Sequence, residues 1–314
     1  MPASFLHKME WDSSLNGTMV LNVLREHGAV LIQNAPFTSP AHWEEWLRSL
    51  PIELTKYLFG QSPRQDFTSY VSSATEYNPH HTIPSHHELS YTSHPPRFVF
   101  FYCAQSATTG GETTLVDGFE LYENISTSPI FQEFKEQGFI YKKCMPCAST
   151  TSTHLPILGK SWQEHFLLSE GNLEEQQQHV QEYCSANDIV HHWLENNALQ
   201  TIHKRPAIRF HTEKQRYAWY AQPNLWKLPS RTQSFLEKHI PLNHYPIDIT
   251  LGNGTVFSEK YASFLDYNTS IVEYTHTWSN HDMVILDNWR IAHGRKAFTG
   301  PRYHWVALAN DTNT

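Results

Sequence analysis

Residues 83–103 read IPSHHELSYTSHPPRFVFFYC, and the fold turns on their second half. It continues as RFVFFYCAQ over 97–105, a β-branched and aromatic run that predicts a core strand. Gly110-Gly111 punctuates it, and Thr113 to Val116 resumes a strand. Upstream, GAVLI (28–32) reads as a buried strand between two amphipathic helices, over Thr18 to His27 and over 41–50. Ser62 to Pro84 is polar and turn-rich, the composition of a long surface loop. Downstream, Leu173 to Leu194 is helical in character, with Val180, Tyr183, Cys184 and Ile189 as inner residues. Ala207 to Phe210 and Arg216 to Tyr220 flank a hairpin turn, and DMVILD (282–287) and Trp305 to Ala309 read as strands. Strands fall early and late, with helices between. That order fits long-range antiparallel pairing into a barrel or sandwich better than regular βαβ alternation.

The 314 residues are expected to form one domain over 1–314, with an insertion or lid around 120–200. Trp162 to Glu175 is the stretch expected to move. Net charge is −8, which excludes a uniformly basic nucleic-acid surface. Ten Trp, 15 Tyr and 17 Phe exclude a disordered chain. Four Cys are no disulfide framework, and the lone Cys144-Cys147 pair is thin support for zinc. No signal-like apolar segment opens the chain, and no apolar run approaches the length of a membrane span. The expectation is a cytoplasmic protein with neither nucleic-acid nor membrane partners.

The first half of the opening stretch carries the chemistry. In an extended segment His86 and Glu88 share a face and His87 points away, because the strand period is two. A distant His from a neighbouring strand would complete a 2-His-1-carboxylate facial set, which leaves metal positions open as non-haem Fe(II) oxygenases require. With 21 His and 31 acids in the chain, a His-x-Glu pair alone is a weak signal. Tyr91 stands where HExxH would need its second His, so that zinc motif is absent. The second signal is DNWRIAHGRKAFTGPR (287–302). His293 at a strand end, followed by a turn and Arg302 on the next strand, would bring a guanidinium near the metal. A planar fork suits a carboxylate, and the distal carboxylate of 2-oxoglutarate is a natural partner.

On these residues the chain resembles the Fe(II)/2-oxoglutarate-dependent dioxygenases of the taurine dioxygenase type, in the clavaminate-synthase-like superfamily. Within it the sequence is most similar to the natural-product branch typified by the syringomycin-cluster aspartyl hydroxylase. The matching pieces are GAVLIQNAPF (28–37), FGQSPR and TSYVSSATEY (59–77), IPSHHELSYTSHPPRFVFFYC (83–103), GGETTLVDG (110–118), SWQEHF and EYCSANDI (161–189) and LDNWRIAHGRKAFTGPR (286–302). Their order and spacing agree with the family throughout.

The resemblance implies a mainly β fold, a double-stranded β-helix (jelly roll) with helical insertions. It implies His86, Glu88 and His293 as Fe(II) ligands, Thr113 and Arg302 as 2-oxoglutarate partners, and O2 as the second co-substrate. Glu88 replaces the Asp more common in the wider superfamily. Halogenating relatives lack the carboxylate ligand, so its presence disfavours halogenation. The expected reaction is hydroxylation of an unactivated C–H in an amino acid or amino-acid-derived small molecule, in antibiotic or nonribosomal peptide biosynthesis. The substrate would be free or tethered to a carrier protein. Desaturation or cyclisation needs only a different fate of the substrate radical. Ala221 stands where relatives tend to carry Asn, and Val306 where some carry Arg; both bear on the substrate. Glu76 is a candidate partner for a substrate ammonium. Arg295 would meet a substrate carboxylate or support its turn. Two other classes compete. A non-catalytic jelly-roll binding protein would not keep every ligand, and a zinc hydrolase would leave Arg302 and Thr113 without a purpose.

Overall fold

Strand 98–105 shows why its sequence is apolar without alternation: both of its faces are covered. A computed structural model describes residues 4–57, 64–75, 77–149, 161–228, 232, 238 and 245–312. In chain order the first elements are β1 (Leu6–Glu10), α1 (Gly17–His27), β2 (Ala29–Gln33), α2 (Pro40–Arg48), β3 (Ile52–Thr55), β4 (Val71–Ser73) and β5 (Ile83–His86). Next come β6 (Phe98–Gln105), β7 (Thr109–Gly110), β8 (Thr113–Asp117), α3 (Gly118–Ile125), α4 (Pro129–Gln137) and β9 (Phe139–Met145). The middle holds α5 (Trp162–His165), α6 (Leu173–Ala186), β10 (Val190–Trp193), β11 (Leu199–Arg205), β12 (Ile208–His211), β13 (Arg216–Trp219) and α7 (Pro223–Trp226). The last are β14 (Ile247–Leu251), α8 (Glu259–Val272), β15 (Glu273–His276), β16 (Met283–Asp287), β17 (Ile291–Arg295), β18 (Phe298–Thr299) and β19 (Tyr303–Asp311).

One large sheet runs β1-β2-β16-β6-β19-β3, with β4 also paired to β19. A smaller sheet runs β15-β8-β17-β5. Val99, Phe101 and Cys103 of β6, with Val284 and Leu286 of β16, share one core cluster with Leu115 of β8 and Ile291 of β17. The alternate residues Phe98, Phe100 and Tyr102 turn the other way. They meet Val20, Leu21 and Leu24 of α1 and Trp43 and Leu47 of α2. The fold is a double-stranded β-helix, as expected from the sequence. Helix α1 is placed by Asn16, whose side chain accepts from Met19 N–H, and stopped by Gly28, which at φ 99° turns the chain directly into β2.

Three expectations change. Ser62 to Pro84 is not wholly a surface loop, because Val71 and Ser72 are buried and β4 pairs with β19. Leu173 to Leu194 is helical only to Ala186. Asp188 takes φ 53°, and the β-branched and aromatic run beyond it pairs as β10 with β11. The step from His293 to Arg302 does not join adjacent strands of one sheet. It leaves β17 in the small sheet and enters β19 in the large one. The 120–200 stretch also divides. Ile125, Phe131, Phe134, Phe139 and Tyr141 belong to the main core, whereas Trp162, Val180 and Cys184 form a separate cluster with Leu199. Among the described residues no helix is long and apolar enough to cross a membrane.

Strands β5 and β17 approach closely at Gly294. A Cβ there would lie 2.5 Å from Thr114 Oγ1 and 2.6 Å from the Ile83 carbonyl oxygen. Gly294→Ala should therefore push the two strands apart and destabilise the fold by about 1–3 kcal/mol, the usual range for overpacking. Urea unfolding of the variant checks this, and unchanged stability would mean that the two strands separate freely.

Candidate active site

The cluster begins with one cross-strand pair. His86, the last residue of β5, is the Cα partner of His293 in β17, and their ring centroids lie 4.6 Å apart. Glu88 follows two residues later, and its Oε2 is 3.7 Å from His293 Nε2. One ligand atom from each of His86, Glu88 and His293 lies within 4.8 Å of the others. His86 Nδ1 is 2.8 Å from the Pro84 carbonyl, so it donates there and leaves Nε2 with its lone pair for a metal. Phe101 stands edge-on to His293 at 5.0 Å. His87 turns away, its ring nitrogens 2.7 and 3.0 Å from the carbonyls of Asn288 and Trp219.

Asn288 fixes Glu88 through the main chain. Glu88 N–H donates to Asn288 Oδ1 at 2.7 Å, and Asn288 Nδ2 donates back to the Glu88 carbonyl at 3.0 Å and to that of Pro96 at 2.8 Å. The next residue, Leu89, sits at φ 55°, a left-handed conformation costly for a branched side chain. The Asn288 clamp is what holds the chain through that turn. The turn carrying Asn288 is itself braced by buried ion pairs. Arg97 and His211 reach Asp287 at 3.0 and 2.9 Å, and Arg290 reaches Asp117 at 2.6 Å.

Burial alone would raise the Glu88 carboxyl, but the Arg64 charge, then His293 and His86, holds it well below the usual carboxylate range. Burial and then His293 push His86 down to about 4. The donor set is two imidazoles and one carboxylate, which suits Fe(II) and leaves positions for a bidentate co-substrate.

A second polar cradle is built around Thr113 and Arg302. Thr113 Oγ1 accepts from Trp278 Nε1 at 2.9 Å, and the hydroxyl keeps its own proton to donate. Trp278 stands edge-on to His304 at 4.7 Å. Arg302 Nε and both ring nitrogens of His304 are buried with no hydrogen-bond partner. Burial, then Arg295, lowers the Arg302 guanidinium to about 10. A Cβ on Gly111 would lie 3.2 Å from Arg302 Cδ, so the bare backbone of the Gly-Gly pair makes room for this side chain. A buried cation with an unpartnered Nε–H fits a carboxylate of a dicarboxylate.

Arg295 is not available in the same way. Its Nη1 and Nη2 donate to the carbonyls of Tyr77, Asn78 and His81 at 3.3, 2.9 and 2.7 Å. These contacts fit the turn-supporting alternative and not a substrate carboxylate. Glu76 lies outside the described residues. Sequence reading missed Asn288 and Arg64. Asn288 lies inside the 287–302 motif, and its Asn-after-Asp position at a strand end was the available signal. Arg64 ends FGQSPR, a polar stretch with nothing local to tie it to the metal cluster.

Fold and donor set together define the class, that of the Fe(II)/2-oxoglutarate-dependent dioxygenases. The chain belongs to the "Taurine catabolism dioxygenase TauD, TfdA family", which matches residues 3–308. It is 28% identical over 293 residues to the dapdiamide synthesis protein DdaC of Enterobacter agglomerans, spanning 91% of this chain and 83% of that one. It is 27% identical over 289 residues to a clavaminate synthase-like protein of Arabidopsis thaliana, spanning 90% and 81%. Among solved structures, PvcB of Pseudomonas aeruginosa superposes with a TM-score of 0.55 at 14% identity, over 98% of this chain and 86% of that one. A taurine dioxygenase from Burkholderia xenovorans does so with a TM-score of 0.53 at 15% identity, over 99% and 90%. These structures share the fold.

The buried histidines make stability depend on pH. Burial brings His86 to about 4, His203 to about 3 and His304 well below its ordinary value. In the unfolded chain each takes its proton near 6.5. Between about 4 and 6.5 the unfolded state therefore binds more protons, and stability falls as pH falls. Each ring contributes up to about 1.4 kcal/mol per pH unit in that window. Urea unfolding of metal-free protein at pH 7.5, 6.5 and 5.5 should show a steep loss below 6.5, and a flat profile would contradict buried neutral rings.

Proposed function

We propose that the protein hydroxylates an unactivated C–H bond of an amino acid or amino-acid-derived small molecule in natural-product biosynthesis. The observation that carries the oxygenase assignment is the convergence of His86, Glu88 and His293, and the buried, unpartnered Arg302 Nε supports it. The natural-product setting is supported by likeness to a dapdiamide synthesis protein. His86 Nε2, His293 Nε2 and a Glu88 oxygen would hold Fe(II). Arg302, assisted by the Thr113 hydroxyl, would hold the distal carboxylate of 2-oxoglutarate. The chemistry supplied by bound Fe(II) is the O2-dependent decarboxylation of 2-oxoglutarate to succinate and CO2, coupled to oxidation of the substrate. The chain's own part is to orient and to exclude. The Pro84 carbonyl and the Asn288 clamp aim two of the ligands, while Phe101 and Trp278 keep the pocket apolar between its charged ends. Glu88 fills the position that halogenation would leave open. We take 1–314 as one catalytic domain and place it in the cytoplasm, where its four buried thiols stay reduced.

His86→Ala and His293→Ala should each abolish succinate formation while leaving the far-ultraviolet circular dichroism unchanged. Glu88→Ala should collapse hydroxylation. Full turnover by any of these three would remove that residue from the ligand set. Arg302→Lys loses part of a charge-assisted interaction contributing about 1.5–3 kcal/mol. Its apparent constant for 2-oxoglutarate should rise about ten- to a hundred-fold. Thr113→Ala gives up one neutral hydrogen bond of about 0.5–1.5 kcal/mol and should change the constant less. Steady-state succinate release measures both, and an unchanged constant for Arg302→Lys would move the co-substrate anchor elsewhere.

A further inference from the structure

Arg64 takes no part in the metal and co-substrate sets described above, yet it is an enclosed cation against them. Its side chain is only 5% exposed. Nη2 donates to Glu88 Oε2 at 2.9 Å, and Cζ lies 3.7 Å from the centre of the Tyr57 ring. Nε and Nη1 are buried with no hydrogen-bond partner. A guanidinium held this way has donors still unmet, and unmet buried donors are costly.

The charges of the working site sharpen the point. A divalent ion balances the 2-oxoglutarate dianion. Glu88, which Arg64 contacts at 2.9 Å, shares its charge with that ion. One carboxylate then faces the two guanidiniums Arg302 and Arg64, and the site keeps one positive charge in excess. Leu89, the residue after Glu88, lines a cavity of about 250 Å³ together with Tyr91, Lys56, Lys143, Tyr183 and His203, among others. Among the described residues its lining holds no Asp or Glu. His203 Nδ1 is buried there without a partner. Tyr91 joins the two regions. Its phenol is raised well above its ordinary value, by burial first and then by Tyr57, Glu88 and Tyr183.

We propose that Arg64 binds a carboxylate of the primary substrate, which reaches it by way of this cavity, whose described lining holds no acid. The assignment rests on the oxygenase reading given above and narrows its substrate class to carboxylic acids. An amine-bearing substrate is admitted only if it also carries an acid group, because the described lining offers an ammonium no counter-charge.

The test uses the full chain loaded with Mn(II) and saturating 2-oxoglutarate, so that no turnover is needed. Propionate and Nα-acetylglycine are titrated by calorimetry, each against its amide. Both acids should bind, with the amides at least ten-fold weaker. Arg64→Gln should weaken acid binding at least ten-fold, and Arg64→Lys, which keeps a charge but not the fork, by less. The 2-oxoglutarate affinity should stay within about two-fold in both variants, and both should still bind Mn(II). The proposal is overturned if neither acid binds, if acids and amides bind alike, or if Arg64→Gln binds the acids as the parent does. Loss of Mn(II) in both variants would also overturn it, since Arg64 would then be a positioning residue for Glu88. The oxygenase reading fails separately: the parent chain would then bind no 2-oxoglutarate, or release no succinate with Fe(II).

Discussion

Everything at the centre depends on one side chain that touches no metal. Asn288 pairs with both backbone groups of Glu88, as a neighbouring strand would, where no strand is present. It ties the exit of β5 to the turn between β16 and β17. Because His293 lies on β17, the same amide fixes the spacing between a carboxylate and a histidine from opposite ends of the chain. A side-chain amide suits this place because it offers a donor and an acceptor side by side. Asp could answer only one of the two backbone groups, and an apolar residue neither.

The braces around that turn have a common logic. Asp287 and Asp117 are both buried, and both receive arginine. Such pairs contribute little net stability against an apolar packing of equal volume, but removing one partner is severe. They set where the turn sits. The metal cluster inherits that precision, since its ligands hang from strands whose ends the ion pairs hold.

Much of this was legible in the sequence. The His-x-Glu spacing encodes two side chains on one face, and β5 ends so that His86 and Glu88 do converge while His87 points into the protein. The apolar runs at 28–32, 97–105 and 282–287 became neighbouring strands because their length and side chains suit a sheet buried on both faces. What was not legible is long-range. Residues 139–145, 199–205 and 247–251 mix Lys, His and Thr with their apolar side chains, yet pair as β9, β11 and β14. Nothing local marks Arg64 for burial beside Glu88 or commits Arg295 to three loop carbonyls. Those outcomes depend on which loop folds over the barrel mouth. The strand at 190–193 was hidden by a helical stretch whose end is set by single residues in left-handed conformation.

The pairing of β6 also has a consequence in time. Its two sheet neighbours are β16 and β19, with Tyr102 opposite Met283 and Trp305. At ordinary synthesis rates the ribosome takes roughly 10–40 s to travel from β6 to β16, the nearer of the two in sequence. Throughout that interval RFVFFYCAQ, an aromatic segment with both edges open, has no partner in the nascent chain. The metal-binding cluster cannot assemble before the same closing strands arrive. The order of synthesis therefore leaves an aromatic segment with open edges exposed until its partners emerge, the condition under which nascent chains aggregate.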